Sequence, residues 1–285
     1  MILQSIKLDV PSYESAVLDV CAFQTHSEVV SHSGKHWQPS TRPAVIIVPG
    51  GGYVELSNTE IDPVALRYLA RGYSAFVLKY SLNEDSRFPQ PVAQLFAAIR
   101  YVRSHANAYH IDPNAIALCG FSAGGHLAGL AATHWADHEF SAILSCDSAD
   151  IRPNAAVLCY PVTDMKLLAE KDPSYLTRWG AMLQSTDAET SIVRSANASI
   201  PPLFIWHTRT DGIVPVTQTL ALVNKLEELG AQYELHVYYD GFHGLSTCDV
   251  LSNYRGAIQG GYTPVNVRGW IDLAINWSNT LFGFD

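Results

Sequence analysis

Short apolar runs rich in β-branched side chains alternate with amphipathic segments along most of this 285-residue chain. Apolar runs without polar alternation are typical of strands that are buried on both faces of a sheet. They predict strands at residues 44–48, 74–80, 115–119, 155–160, 203–206 and 233–239. Apolar positions at helical spacing predict helices at about residues 62–70, 91–108, 122–135, 216–230 and 267–281.

Local signals mark both ends of the first predicted helix. Asp62 stands where an N-cap is expected, Pro63 takes the first helical position, and Gly72 lies just past the end. These residue types satisfy or avoid the unpaired backbone groups of a helix end, so they support the bounds that the apolar pattern indicates.

The alternation of strands and helices predicts an α/β fold with a mostly parallel central sheet and helices on both faces, a three-layer sandwich. No repeat or shift in composition divides the chain, so we expect one domain over residues 1–285. The irregular residues 1–37 are interpreted as an antiparallel edge. Residues 164–200 interrupt the alternation and are interpreted as a partial helical cover over a site at the carboxyl ends of the strands.

Composition narrows the classes of protein that fit this pattern. Apolar residues make up 48% of the chain and charged residues 16%, which excludes a disordered chain. A net charge of −9 without a basic stripe argues against nucleic acid as a partner. Five cysteines without a C-x-x-C pair indicate neither a disulfide framework nor a zinc knuckle. With no signal-peptide pattern and no apolar run near the roughly 18 residues of a membrane span, we expect a soluble cytoplasmic protein.

The sequence Gly120-Phe121-Ser122-Ala123-Gly124 directly follows a predicted strand and fits the pattern G-x-S-x-G. Between a strand and a helix this pattern predicts a tight, strained turn that exposes the Ser122 hydroxyl at the carboxyl end of the sheet. The helix that follows points its N-terminus at the same place, where negative charge is favoured. The alternative is a glycine-rich turn in which Ser122 is only a helix cap.

A serine nucleophile needs a base, and the base needs a group that orients it. His243 is the only histidine after the last predicted strand, and Asp211 follows the strand before it. The chain order Ser122, Asp211, His243 is one that serine triads use. Asp164 and Asp240 compete with Asp211 for the orienting role, and the alternative for Asp211 is a turn aspartate.

A glycine run, Pro49-Gly50-Gly51-Gly52-Tyr53, directly follows the first central strand. Acyl transfer passes through an oxyanion that backbone N–H groups can stabilise, and glycines leave those groups unobstructed. We expect Gly51, Gly52 and Ala123 to be the donors. A flexible turn or a phosphate cradle is the alternative, although neither a Walker A loop nor a G-x-G-x-x-G spacing is present.

The motifs PGGGY, GFSAGGHLAG, TDGIVP and GFHGLS together resemble the α/β-hydrolase superfamily. Within it they resemble small esterases related to hormone-sensitive lipase and to acetyl-xylan-esterase-like proteins, from about residue 44 to the C-terminus. Pro49 stands where the hormone-sensitive-lipase group usually has histidine, and Phe121 where it often has aspartate, which favours the smaller relatives. We interpret His126, within the second motif, as a packing residue.

The resemblance implies a serine hydrolase that cleaves carboxylic esters through an acyl-enzyme, with short acyl groups, among them acetyl groups on sugars. It implies a small-molecule ester as substrate and neither metal nor cofactor. A serine peptidase of the prolyl-oligopeptidase type shares the triad order, but it usually carries a propeller domain for which this chain has no room. A catalytically silent small-molecule receptor is the other alternative. The sequence leaves open whether the protein is a monomer or a homodimer.

Overall fold

A computed structural model describes residues 1–23, 41–174, 187–252 and 264–284 of the chain. Eight strands of these residues form one sheet, and each contains an apolar run or an alternating pattern. They are β1 (Ile2–Leu8), β2 (Ala16–Ala22), β3 (Arg42–Val48), β4 (Ser74–Lys79), β5 (Ile111–Phe121), β6 (Ala155–Cys159), β7 (Leu203–Thr208) and β8 (Tyr233–Tyr238). Their order in the sheet is β1-β2-β4-β3-β5-β6-β7-β8.

The sheet is parallel except at one edge. β1 pairs antiparallel with β2, and β2 pairs antiparallel with β4, while every other neighbouring pair is parallel. The antiparallel edge that we expected at the N-terminus is therefore present in β1 and β2. The part of that expectation that concerns residues 24–40 lies outside the described residues.

Helices connect the strands and cover both faces of the sheet. They are α1 (Asp62–Ala70), α2 (Gln90–Ser104), α3 (Ala106–Tyr109), α4 (Ala123–His134), α5 (His138–Leu144), α6 (Ser148–Ile151), α7 (Met165–Lys171), α8 (Asp187–Thr190), α9 (Ile192–Ser195), α10 (Thr217–Leu229) and α11 (Trp270–Phe282). Within the described part of the chain, no helix is long and apolar enough to span a membrane.

Successive side chains of a strand point to opposite faces, which places β3 between two cores. Ala44, Ile46 and Val48 pack into the core that α2, α4 and α10 cover. Val45 and Ile47 pack into a second core that α1 and α11 cover. The predicted three-layer α/β fold with a mostly parallel sheet is confirmed.

Several helix ends differ from the sequence prediction. The helix expected over residues 91–108 is interrupted at His105, so that α2 and α3 are separate. Asp62 is the first residue of α1 rather than its N-cap, a position that Ile61 takes without a side-chain bond. Gly72 follows α1 with φ +91°, in the region that glycine adopts easily.

The segment expected to form a cover contains three short helices, α7, α8 and α9, in its described part. A bridge between Asp164 and Ser191 joins the two described stretches of this segment, residues 164–174 and 187–200. Ile192 packs on α4 so closely that a Cβ added to Gly129 would lie 2.2 Å from its Cδ1 atom. Residues 175–186 lie outside the described residues, and the cover stays a prediction.

Candidate active site

Ser122 lies in the tight turn between β5 and α4, at the carboxyl end of the sheet. Its backbone has φ +52° and ψ −116°, a strained conformation for a residue with a side chain. A Cβ on Gly120 would lie 2.3 Å from the carbonyl oxygen of Gly124, and one on Gly124 would lie 2.1 Å from that of Val48. The two glycines therefore allow the close backbone contacts that hold Ser122 in this conformation.

A continuous chain of hydrogen bonds joins the serine, the histidine and the aspartate that the sequence singled out. The Oγ atom of Ser122 lies 2.8 Å from Nε2 of His243, and Nδ1 of His243 lies 2.7 Å from Oδ2 of Asp211. A carboxylate oxygen only accepts, so Nδ1 carries the proton and Nε2 is left to accept the Ser122 hydroxyl. This is the arrangement in which an imidazole can act as general base toward a serine.

Asp211 is held as an ionised acceptor by the loop that follows β7. Its Oδ1 atom accepts the backbone N–H groups of Ile213 and Val214, each at 2.9 Å. Nε2 of the buried His207 lies 3.4 Å from Oδ2. Burial alone would raise the pKa of Asp211, but the hydrogen bonds from His207 and His243 outweigh burial and lower it well below its usual range. The carboxylate therefore stays charged next to the His243 imidazole.

The two competing aspartates bond elsewhere. Asp164 is the N-cap of α7, where its side chain accepts the N–H of Leu167 at 3.0 Å and the hydroxyl of Ser191 at 2.8 Å. Oδ1 of Asp240 accepts the hydroxyl of Thr210 at 2.6 Å. The structure thus brings Asp211 to the imidazole, although all three aspartates follow strands.

The glycine run after β3 forms a turn beside Ser122. Gly51 and Gly52 have φ +122° and +65°. A Cβ on Gly51 would lie 2.1 Å from the carbonyl oxygen of Glu55, so glycine is required at that position by both conformation and space. Gly51 and Gly52 line a cleft together with Ser122, and Ala123 is the first residue of α4. Their role as oxyanion donors stays a prediction.

Hydrogen bonds from three sides fix this turn. The Tyr80 hydroxyl donates to the carbonyl of Pro49 at 2.7 Å, and the N–H of Gly50 donates to the buried Glu60 at 2.7 Å. The Tyr53 hydroxyl lies 2.8 Å from Nδ1 of His126, whose Nε2 lies 2.7 Å from the carbonyl oxygen of Thr190. Nε2 must donate to that carbonyl, so Nδ1 accepts from Tyr53.

His126 was interpreted as a packing residue, and the structure adds these two hydrogen bonds to its role. Burial lowers its pKa to about 4, so the imidazole is neutral at pH 7. A neutral ring is the form that can accept from Tyr53 and donate to the carbonyl of Thr190.

Three buried polar side chains beside the triad were not singled out from the sequence: Glu60, Tyr160 and His207. His207 lies at the end of β7, with Nε2 2.9 Å from the carbonyl oxygen of Val214 and Nδ1 2.8 Å from the Thr219 hydroxyl. The position of His207 at the carboxyl end of a predicted strand is the sequence feature that could have identified it as a site residue. Tyr160 directly follows β6 and carries the same signal, whereas no pattern marks Glu60.

The triad opens into a cleft of about 470 Å³, which is within the range of small-molecule sites. Its lining combines the glycine turn with the apolar Val54 and Ile213 and the acidic Glu55 and Glu60. Among the described residues that line the cleft, none is lysine or arginine. Chemically, the site can remove the proton from a serine hydroxyl next to a cleft that admits a small uncharged group.

Comparisons with known proteins agree with this geometry. The chain matches the family model described as BD-FAE over residues 35–226. It is 33% identical over 216 residues to endo-1,4-beta-xylanase B of Butyrivibrio fibrisolvens, a match that covers 73% of this chain and 33% of that protein. It is 32% identical over 212 residues to an acetylxylan esterase of Xylanibacter ruminicola, covering 72% of this chain and 41% of that protein. The chain thus spans less than half the length of these relatives.

A solved structure extends the likeness over the whole chain. The carboxylesterase Cest-2923 of Lactobacillus plantarum superposes with a TM-score of 0.85 at 26% identity. That match covers 100% of this chain and 98% of the carboxylesterase.

Proposed function

This chain belongs to the BD-FAE family, and from that premise we propose that it is a serine carboxylic ester hydrolase that cleaves short-chain acyl esters, among them acetyl groups on carbohydrates. The observation that carries the proposal is the unbroken hydrogen-bond chain from Ser122 through His243 to Asp211. The likeness to a carboxylesterase over the full length supports the same reaction class.

In the proposed mechanism, the Ser122 oxygen attacks the ester carbonyl carbon while Nε2 of His243 takes the serine proton. Asp211 stabilises the imidazolium that forms. The carbonyl oxygen becomes an oxyanion, which the N–H groups of Gly51, Gly52 and Ala123 stabilise.

The tetrahedral intermediate then collapses, and His243 gives the proton to the departing alcohol, which leaves an acyl group on Ser122. A water molecule, deprotonated by His243, attacks this acyl-enzyme. The second collapse releases the carboxylic acid and restores the Ser122 hydroxyl. Every proton transfer in this sequence therefore uses the same Nε2 atom of His243.

The cleft and the relatives support the substrate class. A cleft of about 470 Å³ that combines carboxylates with small apolar side chains suits an uncharged sugar ester better than an anionic one. One similar protein is an acetylxylan esterase and another is a xylanase. Both names refer to xylan, which supports a xylan sugar as the alcohol part of the ester and acetate as its acyl part.

The test is a hydrolysis profile on p-nitrophenyl esters of rising acyl length, run beside acetylated xylo-oligosaccharides and an aminoacyl anilide. We expect the highest kcat/KM on acetyl and other short esters, release of acetate from the oligosaccharides, and loss of both activities in Ser122→Ala. Anilide cleavage above ester cleavage would support the serine peptidase instead. Tight binding of small esters without turnover would support the receptor.

Two expectations and one open question about the whole protein accompany this proposal. Residues 164–200 form a partial cover over the cleft, which protease protection by a bound ester analogue would show. The protein is cytoplasmic, which cell fractionation measures. Its state as a monomer or a homodimer is measured by light scattering.

A further inference from the structure

Glu60 is a carboxylate buried beside the triad, and both of its oxygens are in use. It ends the 3₁₀ helix Asn58–Glu60, and only 2% of its surface is exposed. Oε2 accepts the N–H of Gly50 at 2.7 Å, and Oε1 accepts the hydroxyl of Tyr160 at 2.8 Å. A buried carboxylate is costly unless such bonds replace its hydration. The burial of the Glu60 carboxylate beside the triad therefore indicates a specific role for this residue.

The first bond fixes the start of the glycine turn. Gly50 immediately precedes Gly51, and the turn packs tightly at this point. A Cβ on Gly50 would lie 2.7 Å from the carbonyl oxygen of Phe121 and 3.1 Å from Cβ of Ser122. The carboxylate thus holds the peptide plane next to the predicted oxyanion donors, in contact with the nucleophile turn.

The second bond reaches the loop that carries His243. The Tyr160 hydroxyl donates to Glu60 and accepts the N–H of Ser246 at 3.0 Å. The Tyr160 ring packs edge to face with the His243 imidazole, with ring centroids 5.0 Å apart. The Ser246 hydroxyl in turn donates to the carbonyl of Thr59 at 2.5 Å. The histidine loop is therefore tied to the same short helix that carries Glu60.

Burial raises the pKa of Glu60, while the hydrogen bonds from Tyr160 and Gly50 and the nearby His243 act in the opposite direction. Both donors point at the carboxylate, so the geometry favours an acceptor at both oxygens. An uncharged amide cannot satisfy both donors in that way.

We infer that Glu60 is a positioning residue that links the glycine turn to the loop that carries His243. It contacts the turn through Gly50 and the loop through Tyr160. The link keeps the oxyanion donors and the general base aligned on the same tetrahedral intermediate. The inference rests on the proposed function, because it requires Ser122 to be the nucleophile. The alignment matters only when the oxyanion forms, so its loss lowers kcat and leaves KM nearly unchanged.

Two substitutions break the link at different points. Glu60→Gln keeps the side-chain volume, but its amide oxygen can accept only one of the two donors, and its NH₂ group must face the other. Tyr160→Phe removes the hydroxyl and leaves the bond between Glu60 and Gly50 in place. Asp164→Asn is the matched control, because Asp164 is also buried and also accepts one backbone N–H and one hydroxyl.

The experiment compares the full-length wild-type protein with Glu60→Gln, Tyr160→Phe, their double variant and the control. It measures kcat and KM on p-nitrophenyl acetate, the rate at which a fluorophosphonate labels Ser122, and thermal unfolding. We expect Glu60→Gln to lower kcat and the labelling rate about 10- to 100-fold, the effect of a small displacement at a catalytic site, with KM within about threefold. The double variant should lose no more than about twofold beyond Glu60→Gln, because both changes break one link. The control should keep kcat within about twofold.

A folded Glu60→Gln variant with wild-type kcat and labelling would overturn the inference. A double variant whose loss in kcat equals the product of the losses in the two single variants would also overturn it. If Glu60→Gln does not fold, the Tyr160→Phe variant is the test. Wild-type kcat and labelling rate in Tyr160→Phe would overturn the inference. The labelling rate separates this inference from the proposed function. A wild-type protein that is labelled but hydrolyses no ester contradicts the ester hydrolase and still tests Glu60. A wild-type protein without labelling contradicts both.

Discussion

The replacement Asp211→Asn removes the charge that orients His243 while it keeps the shape of the side chain. Oδ1 of Asp211 accepts two backbone N–H groups, from Ile213 and Val214, at 2.9 Å each. The new amide keeps its oxygen at that position, since the opposite orientation would set its NH₂ group against two donors. The NH₂ group therefore takes the place of Oδ2 and faces Nδ1 of His243.

An NH₂ group donates, so Nδ1 of His243 must then accept, and the imidazole proton moves to Nε2. In that tautomer Nε2 cannot take the Ser122 proton. The same change in a serine protease lowers kcat by about 10⁴, a loss of about 5.4 kcal/mol in transition-state stabilisation. The NH₂ group also faces Nε2 of His207, which lies 3.4 Å from Oδ2. We expect a loss in kcat of at least about 10²-fold.

The assay is steady-state hydrolysis of p-nitrophenyl acetate at pH 7, with thermal unfolding to confirm that the variants fold. Asp164→Asn is the control, because that aspartate caps α7 and bonds to Ser191 instead of His243. It should lose no more than about twofold in kcat. A folded Asp211→Asn variant with near wild-type kcat, or a larger loss in Asp164→Asn, would refute the assignment of the acid.

The other predictions concern the nucleophile, the glycine turn and pH. A fluorophosphonate should add one label to the wild-type protein and none to Ser122→Ala, and a label that survives the substitution would move the nucleophile elsewhere. Gly51→Val places a Cβ where only 2.1 Å is available and should cost about 10²–10³ in kcat, whereas Pro49→His alters no N–H donor and should change kcat by less than about tenfold. Full kcat in folded Gly51→Val would contradict the oxyanion hole. The pKa of Asp211 is lowered on folding, so its ionisation stabilises the protein above the unfolded-state value of 3.8, and this contribution is lost as pH falls. The difference in Tm between wild type and Asp211→Asn should therefore be larger at pH 7 than at pH 3, and an equal difference would contradict the lowered pKa.

Local patterns were sufficient for the order of strands β3 to β8, for helices α1, α2, α4, α10 and α11, and for the turn at Ser122. The bounds of α1 match the prediction, because its apolar positions and Gly72 act within a few residues of one another. The strained turn at Ser122 also depends on nearby residues, because Gly120 and Gly124 lack the Cβ atoms that would clash in a turn this tight. Motif and fold class could therefore be predicted together.

Local patterns were insufficient where polar residues take part in regular structure. β5 begins at Ile111, four residues before the predicted start, because Ile111 pairs with Arg42 across an irregular register. Of the intervening residues, Asp112 is half-buried and Pro113 and Asn114 are exposed, so no apolar run marks this part of the strand. The break between α2 and α3 at His105 likewise has no proline or glycine to mark it.

The sequence alone determined which residue types stand at the ends of the strands, and so the candidates for nucleophile, acid and base. Only the tertiary structure decided among the aspartates, because Asp164, Asp211 and Asp240 all follow strands and differ in the direction in which their loops turn. It also revealed Glu60, which contacts Tyr160 a hundred residues away along the chain. A glutamate in a short helix is normally exposed, and nothing near it in the sequence signals otherwise. Its burial follows from packing between distant segments, which a local pattern does not encode.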